Sequence, residues 1–447
     1  MATSRALFGT DGVRGVANEG LTPELALALG RAVGARLGAG ARVLVGRDTR
    51  LSGPMLEGAL SAGLASAGAE VVLGGVLPTP AVAELVLDTG ARAGAVISAS
   101  HNPFPDNGIK LFGPDGFKLP DAEEAAIEHD MEAGDGPRPV GAGVGRVSWW
   151  PEAGERYLSA LLARFPLDLT GLRIALDCAN GATTVTAPEA LRRLGARIDV
   201  IGDRPDGLNI NDGCGSTHLA ALSRAVAEGG HDLGLAFDGD GDRVLAVDSA
   251  GAQVDGDQIL AICALWMRDR GLLDGGAVVT TTMTNLGFRR AMAAEGIEVR
   301  WTDVGDRYVL EEMRRGGFVL GGEQSGHLIN LRHGPTGDGL ASALMLLSAL
   351  LDRGEPLARA AAVVVRMPQK LVNVRVADKG ALARAGEVWE AVRACERALG
   401  EDGRVVVRPS GTEPLVRVMV EAPTEAECDE WCDTIARVVA SALGKGV

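Results

Sequence analysis

The sequence predicts an α/β protein: three related α/β domains with mixed, largely parallel sheets, plus a smaller C-terminal α+β domain around a central cleft. Three observations carry this expectation. The chain has 447 residues, a length that fits three or four domains of roughly 100–200 residues each. Short Val/Ile/Leu runs of strand length alternate with Ala/Leu-rich stretches at helical spacing, the pattern of βαβ units. That pattern occurs three times, and each third strand runs into a polar loop at its carboxyl end, where parallel sheets place ligand-binding groups.

The elements follow in order. The first block has strands near Arg42–Val45, Glu70–Leu73 and Ala95–Ile97, then the loop Ser98-Ala-Ser-His-Asn-Pro103. The second has Arg173–Leu176, Arg197–Val200 and Leu233–Phe237, then Asp238-Gly-Asp-Gly-Asp-Arg243. The third has Ala277–Thr280, Glu298–Trp301 and Phe318–Leu320, then Gly322-Glu-Gln-Ser-Gly-His327. A Gly/Pro-rich stretch at Gly134–Gly145 and turn signals over Asp248–Asp257 separate the blocks, and a helix begins near Gln258. After Met367-Pro368 come a strand at Leu371–Val376, a helix over Gly386–Leu399, two strands around Arg408–Pro414 and a final helix from Thr424. The expected domains are 1–147 with the serine loop, 148–254 with the aspartate loop, 255–368 with the Glu/Ser/His loop, and 369–447.

Composition narrows the function classes. Hydrophobic residues make up 46% and charged residues 23%, ordinary for a globular protein. A net charge of −15 excludes a general nucleic-acid surface, yet leaves room for an anionic small substrate at a local arginine cluster. No segment reaches the roughly 20 apolar residues of a membrane span. The longest candidate, Leu340–Leu351, contains two serines and reads as a buried helix. The N-terminal stretch lacks the apolar core of a signal peptide. Six scattered cysteines form no C-x-x-C pair and read as buried reduced thiols, which points to the cytoplasm.

Asp238-Gly-Asp-Gly-Asp-Arg243 is the strongest motif. Carboxylates at alternate positions, separated by glycines that permit tight curvature, can converge on one hard cation, with an acidic hairpin turn between two strands as the plain alternative. An EF-hand is excluded, since the sixth position is Arg243 and the twelfth Ser249. Oxygen-only ligands in small number suggest Mg²⁺ with sites left for a phosphate oxygen. Ser100 stands on a sharply turning loop before Pro103 and Pro105, as a nucleophile or a turn former. Gly322-Glu-Gln-Ser-Gly-His327 offers groups suited to sugar hydroxyls, with a polar loop bearing a lone surface His as the plain alternative. Arg408-Pro-Ser-Gly-Thr-Glu-Pro414, with Arg417 beyond it, combines fork donors and flexible backbone amides in the manner of a phosphate cradle, with a turn between strands as the plain alternative. Gly9-Thr-Asp-Gly-Val-Arg-Gly15 adds one arginine on a glycine-flanked loop. No G-x-G-x-x-G fingerprint occurs.

Together these loops resemble the α-D-phosphohexomutase superfamily over the whole chain. Asp177-Cys-Ala-Asn-Gly-Ala182, Asn209-Ile-Asn211, Cys214-Gly-Ser-Thr-His218, Gly305-Asp-Arg-Tyr-Val309, Thr336-Gly-Asp-Gly339 and the Gln of the third loop resemble its amino-sugar branch. Arg332 and Pro335 depart from that pattern. The resemblance implies interconversion of glucosamine 6-phosphate and glucosamine 1-phosphate, feeding UDP-N-acetylglucosamine and cell-envelope synthesis. The alternative is the glucose- or mannose-phosphate branch of the same superfamily.

The resemblance also implies roles. Ser100 would carry a phosphoryl group and, with Asp238, Asp240 and Asp242, hold one Mg²⁺ per site. Arg14 and Arg243 would stabilise the phosphoserine. Lys110 would be the general acid/base, with His101 beside the nucleophile, and its pKa is expected to be lowered by burial or nearby positive charge. Glu323 and Ser325, with His327, would grip sugar hydroxyls. Arg408, Ser410, Gly411, Thr412 and Arg417 would hold the phosphate not being transferred. A hexosamine 1,6-bisphosphate would serve as intermediate and activator. The implied partner is a small amino-sugar phosphate, with no nucleic acid or membrane, and the implied assembly is a homodimer.

Overall fold

The computed structural model describes residues 7–9, 11–134, 136–410 and 414–444. The first sheet contains β1 (Val13–Val16), β2 (Arg42–Arg47), β3 (Glu70–Val76), β4 (Ala93–Ile97), β5 (Asp106–Phe112) and β6 (Val147–Trp149), in the order β1-β5-β4-β2-β3-β6. The second contains β7 (Arg173–Asp177), β8 (Arg197–Ile201), β9 (Leu233–Phe237), β10 (Val244–Asp248) and β11 (Gln253–Val254), in the order β11-β10-β9-β7-β8. The third contains β12 (Ala277–Thr281), β13 (Glu298–Thr302), β14 (Leu320–Gly322) and β15 (Leu328–Asn330), in the order β13-β12-β14-β15.

One topology underlies all three. The block's first strand lies between its second and third as parallel neighbours, and the third then turns back into an antiparallel partner. The three polar loops are therefore the connections β4–β5, β9–β10 and β14–β15. Each hairpin loop leaves the carboxyl end of a parallel strand, which is the ligand edge of such sheets. The strands that carry them are apolar because helices cover both faces; β4 and β9 are buried at every residue.

The third strand of block three is the one clear displacement: it runs over Leu320–Gly322 and not Phe318–Leu320. Gly321 and Gly322 carry no apolar signal. They continue the parallel register against Val279 and Thr280 of β12, and position 321 needs glycine because the helix Asp306–Gly316 lies so close that a Cβ there would sit 2.7 Å from Met313 Sδ. The returning strands β5, β10 and β15 also went unread, since each follows a loop rather than a helix.

The fourth unit is a three-stranded antiparallel sheet of β16 (Gln369–Arg375), β17 (Arg404–Pro409) and β18 (Leu415–Glu421), ordered β16-β18-β17 and backed by helices Gly386–Leu399 and Glu425–Leu443. It has its own apolar cluster, whereas the three α/β units share a continuous one through which Tyr157 donates a 2.9 Å hydrogen bond to Asp338. Side-chain caps fix several helix starts. Asp255 and Gln258 form a capping box, and Asp338 and Thr424 each accept an amide of the first turn. All six cysteines are free and buried. Among the described residues, no helix is long and apolar enough to cross a membrane.

Candidate active site

The loop after β4 holds Ser100 in the left-handed backbone region at φ 52°, costing a non-glycine residue roughly 1–2 kcal/mol. A set of buried polar groups maintains it. The Ser98 hydroxyl accepts the Ser100 amide at 2.9 Å and donates to Asp48 at 2.5 Å. Asp48 also pairs with Arg50 at 2.8 Å, both side chains fully buried. The Arg50 guanidinium then donates to the carbonyls of Ser100, Asn102, Pro103 and Asp106. From the second domain, the Asn211 amide donates to the carbonyls of Ser100 at 2.9 Å and Asn102 at 3.1 Å.

The aspartate loop packs backbone-to-backbone on the serine loop. A Cβ on Gly239 would lie 2.6 Å from the Ser100 carbonyl, and Gly241 has φ 73°, so both glycines answer to geometry. Ser100 Oγ donates to Asp238 Oδ2 at 2.6 Å. Asp238, Asp240 and Asp242 are buried, with one carboxylate oxygen of each within 4.8 Å of the others. Asp240 Oδ1 is buried without a hydrogen-bond partner. Burial and the charges of Asp242 and Asp240 hold the Asp238 carboxyl well above its usual pKa. Three buried carboxylates with an orphaned oxygen and a neighbouring hydroxyl fit a hard divalent cation, which would relieve that repulsion.

Lys110 on β5 is 1% exposed and lies 2.8 Å from Asp240, 3.2 Å from Asp11 and 3.6 Å from Asp242. The expected lowering of its pKa is not what the structure shows. Burial pulls the value down, but Asp11, Asp240 and Asp242 together outweigh it and raise it. His101 Nδ1 is 3.3 Å from Ser100 Oγ, and burial with the charges of Arg243 and Arg14 depresses its pKa to about 4. His101 is thus neutral at pH 7. Arg14, on β1, pairs with Asp11.

Arg14, His101, Asp242, Arg243, Glu323, His327 and Arg417 line one cleft of about 820 Å³. It therefore joins groups from all four units. His327 sits 3.5 Å from Asp242 and 3.7 Å from Asp306, and those carboxylates raise its pKa against the effect of burial. Ser325 Oγ is buried without a hydrogen-bond partner. Arg408 and Arg417 are paired across β17 and β18, and burial plus Arg417 lower the Arg408 pKa. Two guanidiniums held side by side suit a dianionic phosphate. The Ser410 carbonyl accepts Lys379 Nζ at 2.7 Å. Gly411 and Thr412 lie outside the described residues.

Asp11, Asp48, Arg50, Thr79, Asn211 and Asp306 are site-building residues the sequence reading did not single out. Thr79, for example, donates to Asp240 Oδ2 at 2.7 Å. The signals available were a polar pair directly after an apolar strand (Asp48, Arg50) and the motif stretches that contain Asp11, Asn211 and Asp306.

The cleft joins His101 beside Ser100, Asp242 of the acidic cluster and Arg417 of the fourth unit, groups suited to a phosphosugar-transforming enzyme, and matches to known families give that class. The chain matches phosphoglucomutase/phosphomannomutase alpha/beta/alpha domains I, II and III over residues 5–138, 155–251 and 255–367, and the C-terminal domain over 371–438. It belongs to the phosphoglucomutase/phosphomannomutase family. A phosphoglucosamine mutase of Oceanobacillus iheyensis is 56% identical over 441 residues, 98% of this chain and 99% of the relative. One from Bacillus cereus is 53% identical over 442 residues, again 98% and 99%. Among solved structures, a phosphoglucomutase/phosphomannomutase family protein from Burkholderia thailandensis is similar with TM-score 0.81 at 25% identity, covering 98% of this chain and 97% of that one. An Aspergillus fumigatus N-acetylphosphoglucosamine mutase, solved with GlcNAc-6P and magnesium, shares the fold with TM-score 0.68 at 20% identity, covering 98% and 96%.

Proposed function

We propose that the chain is a phosphoglucosamine mutase, interconverting glucosamine 6-phosphate and glucosamine 1-phosphate through a phosphorylated Ser100 and a 1,6-bisphosphate. The observation that carries this is a cleft lined by His101, Asp242 and Arg417, with Ser100 beside His101, the other two aspartates clustered with Asp242 and Arg408 paired with Arg417, in a chain 56% identical to a protein of that name. The reaction supplies the 1-phosphate from which nucleotide-activated amino sugars and cell-envelope precursors are built.

Asp238, Asp240, Asp242 and the Ser100 oxygen would hold Mg²⁺, which when bound neutralises charge during in-line phosphoryl transfer. Ser100 gives its phosphoryl group to O1 of the 6-phosphate substrate. Arg408 and Arg417 hold the phosphate not being transferred, while Glu323, Ser325 and His327 hold the sugar. The bisphosphate then turns end for end, and the 6-phosphoryl group returns to Ser100. Arg14 and Arg243 stabilise the transferring group. Lys110 is held as an ammonium by three carboxylates, so both giving and taking a proton require those charges to be offset. Once they are, it takes the O1 proton as the phosphoryl group moves and passes one to the leaving serine oxygen. Neutral His101 hydrogen-bonds the serine oxygen and adds no charge beside it. A cleft this size has room for the turn while limiting water at the phosphoserine.

A ³¹P NMR time course with Mg²⁺ and a trace of hexose 1,6-bisphosphate tests the reading on glucosamine, glucose and mannose 6-phosphates separately. The proposal predicts the fastest new 1-phosphate signal with glucosamine. Preference for glucose or mannose would overturn the sugar assignment, and inorganic phosphate as sole product would overturn the mutase.

A further inference from the structure

We propose that Asp306 reads the C2 ammonium of the substrate and so sets the preference for amino-hexose phosphates over hexose phosphates. The inference rests on the reading of Glu323 as a sugar-hydroxyl ligand. Gly305, Asp306 and Glu323 line the same cleft wall, and the Asp306 charge acts on the Glu323 carboxyl, which places the two acids as neighbours there. Substituents on C2 and C3 of a pyranose are vicinal. In the pose where Glu323 holds the C3 hydroxyl, the vicinal C2 substituent falls against the neighbouring acid, Asp306.

The other cleft carboxylates are committed elsewhere. Asp242 belongs to the cation cluster. Asp11 is held by Lys110 at 3.2 Å, Lys118 at 2.5 Å and Arg14. Burial raises the pKa of Glu323 and weakens it as an anion. Asp306 is 20% exposed at its side chain; Oδ2 pairs with Lys118 at 2.6 Å and lies 3.7 Å from His327 Nε2. Among the described residues, its Oδ1 accepts only the Arg307 amide, at 2.9 Å, and a carboxylate oxygen has capacity for a second donor. An ammonium there makes a charge-assisted hydrogen bond, and a neutral hydroxyl makes a weaker one.

The plain alternative is that Asp306 serves only to latch the first and third domains through Lys118. Two substitutions separate these in the full-length enzyme with Mg²⁺ and a trace of bisphosphate. kcat/KM is measured for glucosamine 6-phosphate and glucose 6-phosphate, and each ligand's binding to the Ser100→Ala background by calorimetry. Asp306→Asn should lower the glucosamine-to-glucose ratio by about 10–100-fold, the size of one lost charged hydrogen bond. Lys118→Met breaks the latch and should lower both substrates alike, leaving the ratio within about twofold. An unchanged ratio in Asp306→Asn, or an equal shift of the ratio in Lys118→Met, would overturn the proposal. Absence of mutase turnover on glucosamine 6-phosphate by the wild type would instead overturn the function on which it rests.

Discussion

Arg50 Nη2 lies 2.9 Å from the carbonyl of Ser100, and the same guanidinium holds three further carbonyls of that loop. The nucleophile's position is thus set by an arginine with no exposed surface, anchored by Asp48. Phosphoryl transfer depends on in-line placement, so a loop held in a costly conformation needs such support.

Replacing Arg50 with Ala leaves Asp48 and several loop carbonyls unpartnered and should destabilise the protein by about 3–5 kcal/mol. Arg50→Lys keeps the charge but not the fork. We expect kcat to fall about tenfold or more through misplacement, with KM for the sugar phosphate nearly unchanged. Steady-state kinetics beside thermal melts check both; an equal rise in KM would argue for general loosening of the cleft.

The acidic cluster sets activity against stability. Asp238→Asn should reduce turnover by roughly 100-fold or more, while in EDTA it should melt no lower than wild type, because one of three repelling carboxylates is gone. Mg²⁺ should raise the wild-type melting temperature more than that of the variant. A lower melting temperature for Asp238→Asn in EDTA would contradict the electrostatic argument.

Gly256, the first residue of the helix Gly256–Asp269, braces the Glu323 loop: its amide donates to the Gln324 carbonyl at 3.0 Å, and an added Cβ would meet the Glu323 carbonyl at 2.2 Å. Gly256→Ala should displace that loop, raising KM for the sugar phosphate several-fold and costing about 1–3 kcal/mol of stability. Equilibrium denaturation and kinetics read the two effects separately.

His333 stacks on Phe165 with ring centroids 4.5 Å apart, and burial with Arg164 and Arg332 depresses its pKa to about 4. A native state that resists protonation binds fewer protons than the unfolded chain below pH 6.5, so stability falls as pH drops from about 6.5 toward 4. His333→Gln should flatten that fall, seen as melting temperatures of variant and wild type converging at low pH.

The order of blocks was legible because each β9-like run is buried on both faces and reads as unbroken apolar sequence; Leu233–Phe237 has the predicted ends. Ser100 and the three aspartates stood out because polar residues following such a run have a short list of uses. Arg50 did not, because its partners are backbone carbonyls, which no residue pattern marks. The direction of the Lys110 shift was equally hidden. It depends on Asp11 and Asp240, distant in sequence and brought within 3.2 Å and 2.8 Å by β1–β5 pairing and the packing of the second domain.

The claim at the centre is that Ser100 is the carrier of the transferred group. Incubation with ³²P-labelled hexose 1,6-bisphosphate, followed by peptide mapping and a chase with unlabelled glucosamine 6-phosphate, tests it directly. The account predicts label on the peptide containing Ser100, lost to sugar phosphate in the chase and absent from Ser100→Ala. Label on another residue, or its release only as inorganic phosphate, would contradict it.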